Sequence, residues 1–294
     1  MPLPRYERQR EILSNAHQIE TMNLVPCSDI ERALAASTLS DGAADLVRGV
    51  LQLGRPAVFA GGGTGIEYGS LLKTAVNPLY LRRHVEEAAE HLRQQRVDVL
   101  IVPGMSGFPI GSMYAVVANL PALLLKKQHL TARPDVEYPA GSFVIPSYTG
   151  DGDVVMSADL VAVQDIVDRV LEPQVLAQRE EAELHLTLRL AGGDDIIDKA
   201  TMSEAVSDSG LLVGRTAMES FVARHRKATA DPRRIGQRVD VVAWVTPLIK
   251  GYNRPQEHLQ RLFGVTPFAG LNITGIQLDP PAIGIEELGL IAFP

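Results

Sequence analysis

The chain has 294 residues, of which 46% are hydrophobic and 21% are charged, and its formal net charge is −7. This composition is typical of a globular protein with a sizeable core, and the negative charge argues against a general nucleic-acid binder, which needs cations to neutralise phosphates. No apolar stretch reaches the roughly 18 residues of a membrane span, and the start MPLPRYERQR is polar, so we expect no membrane anchor, no secretion signal and a cytoplasmic location. The single cysteine, Cys27, excludes an internal disulfide and a cysteine-only metal site.

The first 55 residues favour helices, because apolar residues recur at helical spacing at Ile30 and Leu34 and again from Leu46 to Leu51. We therefore predict a helical N-terminal extension over residues 1–55 and an α/β domain over residues 56–294. The segment GGGTG at 61–65 lacks the G-x-G-x-x-G spacing of a dinucleotide-binding loop. It gives little support to a nucleotide-binding dehydrogenase, which would require tight binding of nicotinamide.

A β-α-β unit is predicted next. Asn77 and Pro78 suit the start of a helix, and residues 97–102 are nearly all valine, leucine and isoleucine, which is typical of a strand covered on both faces. A second helix is predicted over residues 110–119 and a second strand over PALLLKK at 121–127. The pattern indicates a parallel sheet, and ligands of such sheets bind at the carboxyl ends of the strands.

The loop after the first of these strands is one candidate binding site. Gly104, Met105, Ser106 and Gly107 would present backbone N–H groups and a helix N-terminus to an anion, and small residues let a phosphate approach closely. A plain tight turn is the alternative. The string Gly-Met-Ser-Gly also differs from the G-x-S-x-G pattern of a hydrolase, so we do not expect Ser106 to be a nucleophile.

A second candidate site follows a later strand. The stretch YPAGSFVIPSYTGDGDVVMS at 138–157 predicts a hairpin or an excursion from the sheet, and an amphipathic helix is predicted from Ser157 onward. The strand LHLTLRLAGG at 184–193 then ends at Asp194 and Asp195. Adjacent carboxylates repel each other unless hydroxyl donors or cations meet them, so the pair is a candidate for sugar hydroxyls or Mg²⁺-bound water. An exposed acidic turn or a helix cap is the alternative.

A third candidate site lies where another helix is predicted to begin. Thr216 and Glu219 form a capping-box pattern, and Gly214, Arg215 and Thr216 could hold a phosphate on the first N–H groups of the helix, or could form a plain N-cap. The last 45 residues, rich in glycine and proline, are expected to wrap over the sheet. His84 and His91 lie seven residues apart with no further ligand in evidence, which favours solvated or capping roles over a metal site.

Residues 63–128 follow a recognisable order: a segment on the base side, a helix, a buried strand, the glycine loop, a helix and a strand ending in Lys126 and Lys127. This order resembles the type I phosphoribosyltransferase family, especially its orotate and adenine branches. The resemblance implies a mostly parallel central sheet flanked by helices, with a small hood-like segment. The family signature also has two acidic residues and a short Thr-Gly-x-Thr loop opening a helix. Here the strand and the acids are present, but the Thr-Gly is missing and a Gly-x-Thr occurs only at 214–216.

The resemblance implies an enzyme that transfers 5-phosphoribose from 5-phosphoribosyl 1-diphosphate (PRPP) to a nitrogenous base and releases pyrophosphate. The 104–107 loop would bind the diphosphate, with charge from Lys126 and Lys127. Asp194 and Asp195 would be catalytic, holding the ribose hydroxyls and offsetting positive charge. The 5-phosphate would lie on Thr201 or, if the loop carries an insertion, on residues 214–216.

The remaining implications concern the base, the metal and the assembly. Tyr148, with Tyr68 and Phe108, would be near the base, and a plain core position is the alternative for each. Mg²⁺ would be bound mainly through substrate oxygens, with help from Asp194 and Asp195, and the protein would be a homodimer. The alternative is a catalytically silent relative that binds a phosphoribosyl ligand or nucleotide and acts in regulation.

Overall fold

The computed structural model describes residues 24–58, 64–67, 69–72, 77–131, 137–146 and 153–294. The strands are β1 (Leu24–Val25), β2 (Arg55–Val58), β3 (Thr64–Glu67), β4 (Val99–Pro103), β5 (Ala122–Thr131), β6 (Ser142–Pro146), β7 (Asp153–Ser157), β8 (Glu183–Gly193), β9 (Ile196–Ile197), β10 (Arg234–Lys250), β11 (Phe268–Leu278), β12 (Pro281–Ile285) and β13 (Gly289–Ala292). The helices are α1 (Ile30–Ala36), α2 (Asp41–Leu53), α3 (Gly69–Leu72), α4 (Leu79–Gln94), α5 (Gly104–Ala118), α6 (Leu160–Ala177), α7 (Thr201–Thr229) and α8 (Pro255–Phe263). Short 3₁₀ turns span Cys27–Asp29 and Gly251–Asn253.

The main sheet has the strand order β1-β13-β12-β11-β10-β8-β4-β5-β7-β6, and β9 pairs with β10. Its centre, from β11 through β10, β8 and β4 to β5, is parallel throughout. Antiparallel hairpins extend it on both sides, β6–β7 on one and β11–β12–β13 on the other. The predicted α/β fold with a mostly parallel sheet and the predicted hairpin at 138–157 are therefore confirmed. β2 and β3 form a separate two-stranded antiparallel sheet.

Helices cover both faces of the parallel centre. On one face the buried side chains of α2, α4 and α5 share a cluster with Leu100 and Val102 of β4. On the other face those of α6, α7 and α8 pack with Val99 and Ile101 of the same strand. Because both faces of β4 are buried, an almost unbroken apolar run is the sequence it needs. None of the described helices is both long and apolar enough to cross a membrane.

The N-terminal helices belong to this packing. α2 is capped by the Ser40 side chain, which accepts a hydrogen bond from Ala43 N–H at 3.1 Å. Its residues Leu46, Val47 and Val50 are fully buried in the same cluster as α4 and α5. The described part of the first 55 residues thus contributes to the core of the α/β structure. The division of the chain at residue 55 stays a prediction.

The helix predicted at 110–119 begins earlier than expected. α5 starts at Gly104, directly after β4, so residues 104–107 are the first helical turn and not a loop before it. Gly104 has a φ of +29°, which glycine tolerates. The glycines and Pro109 weaken the helical pattern in the sequence, but packing of α5 against β4 and β5 outweighs local propensity.

The helix predicted to open at Thr216 is also wrong, because α7 is one continuous helix of 29 residues. Gly214, Arg215 and Thr216 lie in its middle, and the Thr216 hydroxyl donates to the Leu212 carbonyl at 3.0 Å. A Cβ on Gly214 would lie 3.2 Å from side chains of Leu188 and Val239, and one on Gly210 would lie 2.2 Å from Ile101 Cδ1. These glycines let α7 approach the sheet closely, so residues 214–216 form no phosphate-binding loop.

Two smaller expectations are corrected as well. The C-terminal segment does not wrap over the sheet; it extends it, since β11 pairs in parallel with β10, and β12 and β13 follow. The helix expected from Ser157 begins at Leu160 and is capped by Asp159, whose carboxylate accepts from Val161 and Ala162 N–H. Ser157 is the last residue of β7.

Candidate functional site

The carboxyl ends of β4 and β8 lie side by side. The two strands are parallel neighbours, with Ile101 opposite Gly192. α5 begins immediately after β4, and Asp194 and Asp195 follow β8. A Cβ built on Gly107 would lie only 2.8 Å from Asp194 Oδ1. The structure therefore brings together the first turn of α5 and the acidic pair, although Gly107 and Asp194 are far apart in the sequence.

The acidic pair is buried. Asp194 is 7% exposed and Asp195 is 5% exposed, which excludes the alternative of an exposed acidic turn. Asp195 N–H donates to Asp194 Oδ1 at 2.8 Å, and Asp194 N–H donates to the Val245 carbonyl of β10 at 3.2 Å. Burial, and then the negative charge of Asp195, raise the pKa of the Asp194 carboxyl well above its ordinary value. The pair is held where a carboxylate lacks solvation, so a ligand that donates hydrogen bonds or positive charge to it would be favoured.

The two glycines before the acids have a packing reason. A Cβ on Gly192 would lie 2.2 Å from the Trp244 ring, which is fully buried on the neighbouring strand β10. The Trp244 indole N–H donates to Ser207 Oγ of α7 at 3.0 Å. The tryptophan thus occupies the space of a side chain at 192 and ties β10 to α7 below the acidic pair.

Two helices begin at this edge without a side-chain cap. The N-cap residue of α5 is Pro103 and that of α7 is Ala200, and neither accepts a capping hydrogen bond through its side chain. Helix N-termini carry free N–H donors and a partial positive charge, which suits an anion. Of the two segments considered for the 5-phosphate, only the one at Thr201 begins a helix.

Ala200 turns the chain into α7. It is buried and has a left-handed backbone, with φ 59° and ψ 3°. Such a conformation is common for glycine and uncommon for alanine. Because no glycine marks this tight turn, the sequence pattern does not predict a turn directly before Thr201.

Lys250 is a charged residue at this edge that the sequence reasoning missed. It ends β10, is 9% exposed, and its Nζ donates to Asp198 Oδ2 at 2.9 Å. Asn253 Nδ2 donates to the other oxygen of the same carboxylate. A single lysine at the end of an apolar strand, in TPLIK, was the available signal.

His84 and Tyr114 form a buried pair beneath the acids. His84 of α4 is fully buried, and its Nε2 lies 2.7 Å from the Tyr114 hydroxyl of α5. Burial lowers the pKa of His84 to about 3, so the expectation of a solvated or capping His84 is wrong. Its position on an apolar helix face, between Leu81 and Val85, places it in the core. Burial, then the charges of Asp194 and Asp195, raise the pKa of Tyr114 well above its ordinary value.

The predicted basic pair does not end its strand, because β5 continues to Thr131. Pro103 of β4 lies opposite Leu125, so Lys126 stands level with the start of α5, and it is exposed. Lys127 pairs with Met156 of β7. Phe108 packs partly buried against the core on the α5 side, whereas Tyr68 and Tyr148 lie outside the described residues.

The donors present fit a magnesium ion that is shared with a ligand. Mg²⁺ binds oxygen ligands and usually uses one or two carboxylates together with substrate phosphates. Asp194 and Asp195 supply adjacent carboxylates. Over the described ranges, no group of three or more histidine, cysteine, aspartate or glutamate side chains could hold a metal by itself. A magnesium ion here would therefore take most of its ligands from the substrate and water.

A cleft with a volume of about 740 Å³ lies between α4 and α5, away from the acidic pair. Its lining is mainly apolar: Pro78, Leu79, Leu81, Val85, Met113, Val116 and Val117, with Arg82, Glu86 and Ser112. It includes neither the first turn of α5 nor the acidic pair. The chemistry predicted from the sequence is therefore not in this cleft.

Comparison with known proteins gave structural similarity only. No family model matches the chain, and no curated protein is similar to it in sequence. Solved adenine phosphoribosyltransferases are similar in structure. That of Rhodothermus marinus has 14% sequence identity and a TM-score of 0.45, and the match covers 78% of this chain and 98% of that chain. That of Thermoanaerobacter pseudethanolicus has 13% identity and a TM-score of 0.45, with 76% of this chain and 97% of that chain covered; that of Giardia lamblia, complexed with 9-deazaadenine, has 11% identity and a TM-score of 0.46, with 79% and 97% covered. At identities and TM-scores this low, the similarity carries no argument about activity or ligand.

Proposed function

We propose that this chain is a phosphoribosyltransferase-like enzyme that transfers 5-phosphoribose from PRPP to a nitrogenous base and releases pyrophosphate. The observation that supports the proposal is the close approach of the buried Asp194 carboxylate to Gly107 in the first turn of α5, where an added Cβ would lie 2.8 Å from Asp194 Oδ1. The N-terminal end of a helix, which suits an anion, therefore lies beside two acids. PRPP presents the matching groups, because its diphosphate leaves from C1 of the ribose ring, which carries hydroxyls on C2 and C3.

Each end of the ligand has a proposed partner. Backbone N–H groups of Met105, Ser106 and Gly107 would bind the diphosphate at the start of α5, and Lys126 and Lys127 would add positive charge. The start of α7 at Thr201 would bind the 5-phosphate. A contact of Tyr148 with the base stays a prediction from the resemblance. The uncapped beginnings of α5 and α7 support this orientation.

The reaction needs charge stabilisation of two signs. The ribose becomes positively charged in the transition state. Asp194 and Asp195 would accept hydrogen bonds from its hydroxyl groups and offset that positive charge. The diphosphate becomes more negative as it leaves, and N–H donors already fixed in a helix end stabilise it without reorganisation. Mg²⁺, bound mainly to diphosphate oxygens and near Asp194 and Asp195, would supply further neutralising charge.

A second candidate is a silent relative that binds a phosphoribosyl ligand or nucleotide without turnover. The near-complete burial of Asp194 beside Gly107 favours it. A carboxyl with a raised pKa stays protonated over a wider range of pH, and a protonated carboxyl has no negative charge to offset a ribose cation. This candidate keeps the binding site of the enzyme and differs only in the chemical step.

Release of pyrophosphate separates the two candidates. The purified chain would be incubated with PRPP, Mg²⁺ and a panel of purine and pyrimidine bases, beside the Asp194→Asn, Asp195→Asn double variant. An Asp208→Asn variant, which changes an exposed acid on α7, is the matched control. Base-dependent release by the wild type and Asp208→Asn, reduced at least a hundredfold in the double variant, is the expected result. Binding of PRPP without release for any base would leave the silent relative.

A further inference from the structure

We propose that Lys250, Asp198 and Asn253 form a cluster that positions the turn into α7, and through it the helix end to which the 5-phosphate is assigned. The inference rests on the proposed function. The three residues are positioning residues, because their polar atoms bind one another and not the ligand. They make PRPP binding depend on a charge pair that lies at the end of β10.

The cluster joins two strands at their carboxyl ends. β9 pairs with β10, with Ile196 opposite Leu248 and Ile197 opposite Ile249. Asp198 follows β9 directly and meets Lys250, the last residue of β10. Asn253, in the 3₁₀ turn after β10, donates to the second carboxylate oxygen. Asp198 is therefore held on one oxygen by the last residue of β10 and on the other by the turn that follows β10.

The turn that follows Asp198 has little support of its own. Ala200 holds a left-handed conformation that alanine disfavours, and α7 begins without a side-chain cap. Only Lys199 lies between Asp198, whose carboxylate is paired, and Ala200. A contact that fixes Asp198 consequently fixes the direction in which the first N–H groups of α7 point.

Positioning explains this cluster better than stability does. A mostly buried ion pair pays a desolvation cost that offsets much of its attraction, so it is weak evidence for stabilisation. Lys250 and Asp198 have side chains that are 11% and 15% exposed. The pairing of β9 with β10 already joins these strands. What the ion pair adds is a fixed geometry at the turn.

The test compares PRPP, which carries a diphosphate and a 5-phosphate, with pyrophosphate, which is the diphosphate alone. Wild type, Lys250→Met, Asp198→Asn and the double variant would be titrated by calorimetry with PRPP and with pyrophosphate, each with Mg²⁺. Each single variant should bind PRPP at least tenfold more weakly and bind pyrophosphate within twofold of wild type, because the diphosphate is assigned to α5. The double variant should lose no more affinity for PRPP than the single variant that binds it more weakly, since all three changes remove the same interaction.

Controls keep folding and function apart. Lys227→Met changes an exposed lysine on α7 and should bind both ligands like wild type. Thermal unfolding of every variant is measured alongside. If a single variant does not fold, the same titrations are made with Asn253→Ala and with the double variant, which leaves no unpaired charge. Both should then bind PRPP more weakly than wild type and bind pyrophosphate like wild type.

Three results would overturn the inference, and they are distinguishable. If wild type binds neither ligand, the proposed function fails and this inference fails with it. If wild type binds PRPP and the variants bind it equally well, the cluster does not position the turn, while the proposed function stands. If PRPP and pyrophosphate weaken to the same extent, the effect is not local to the start of α7.

Discussion

Asp194 is the residue whose surroundings bear most on the proposed function. It faces Gly107 of α5, accepts the Asp195 N–H, and is almost excluded from solvent. Its raised pKa means that the folded state holds a proton more tightly than the unfolded chain does. A group of this kind stabilises the fold below its unfolded pKa, and that stabilisation is lost as the pH rises through the folded pKa.

Asp194→Asn should therefore become relatively more stable than wild type as the pH is raised from 4 to 8. The asparagine keeps an oxygen that can accept the Asp195 N–H but has no charge to bury. The difference in free energy of unfolding should grow by up to about 1.4 kcal/mol per pH unit while only the unfolded aspartate is ionised. Urea unfolding at several pH values measures it, and a difference that is constant with pH would contradict the burial of a charge at Asp194.

At the scale of elements, glycines show what sequence patterns predict and what they leave open. The buried strand at 97–102, the β-α-β unit and the acidic pair after β8 were all predicted from apolar runs and their endings. Glycines were harder to assign, because a glycine is used both in turns and where a helix approaches a sheet. Gly214 was predicted in a loop but packs against Leu188 and Val239 inside α7, while the true turn into α7 contains Ala200 instead.

The packing role of the α7 glycines is tested by Gly210→Ala. Alanine has the higher helix propensity, yet its Cβ would lie 2.2 Å from Ile101 Cδ1, which is buried in β4. We expect a net loss of about 1–3 kcal/mol in the free energy of unfolding, the usual cost of overpacking.

The companion variant Ile101→Val removes the Cδ1 atom. The double variant Gly210→Ala, Ile101→Val should be more stable than the sum of the two single effects predicts, because the two changes compensate in volume. Strict additivity in urea unfolding would show that α7 does not pack this closely on β4.

At the scale of the whole molecule, the fold places distant segments around one edge. The start of α5, the stretch from the acidic pair to the turn into α7, and the end of β10 come from three separate parts of the chain and meet because their strands are parallel neighbours. The sequence predicts sites at the start of α5, at the acidic pair and at Thr201. It does not predict Lys250, since strand order across β8 and β10 depends on tertiary packing. The homodimer implied by the resemblance stays a prediction, which analytical ultracentrifugation would test.

Calorimetric titration with PRPP and Mg²⁺ measures whether this edge of the sheet binds a phosphoribosyl diphosphate. Wild type and the Asp194→Asn, Asp195→Asn double variant would be compared at the same protein concentration, with Asp208→Asn as the control. We expect micromolar binding by wild type and Asp208→Asn, weakened at least a hundredfold in the double variant. Absence of binding by the wild type at millimolar PRPP, or equal binding by the double variant, would contradict it.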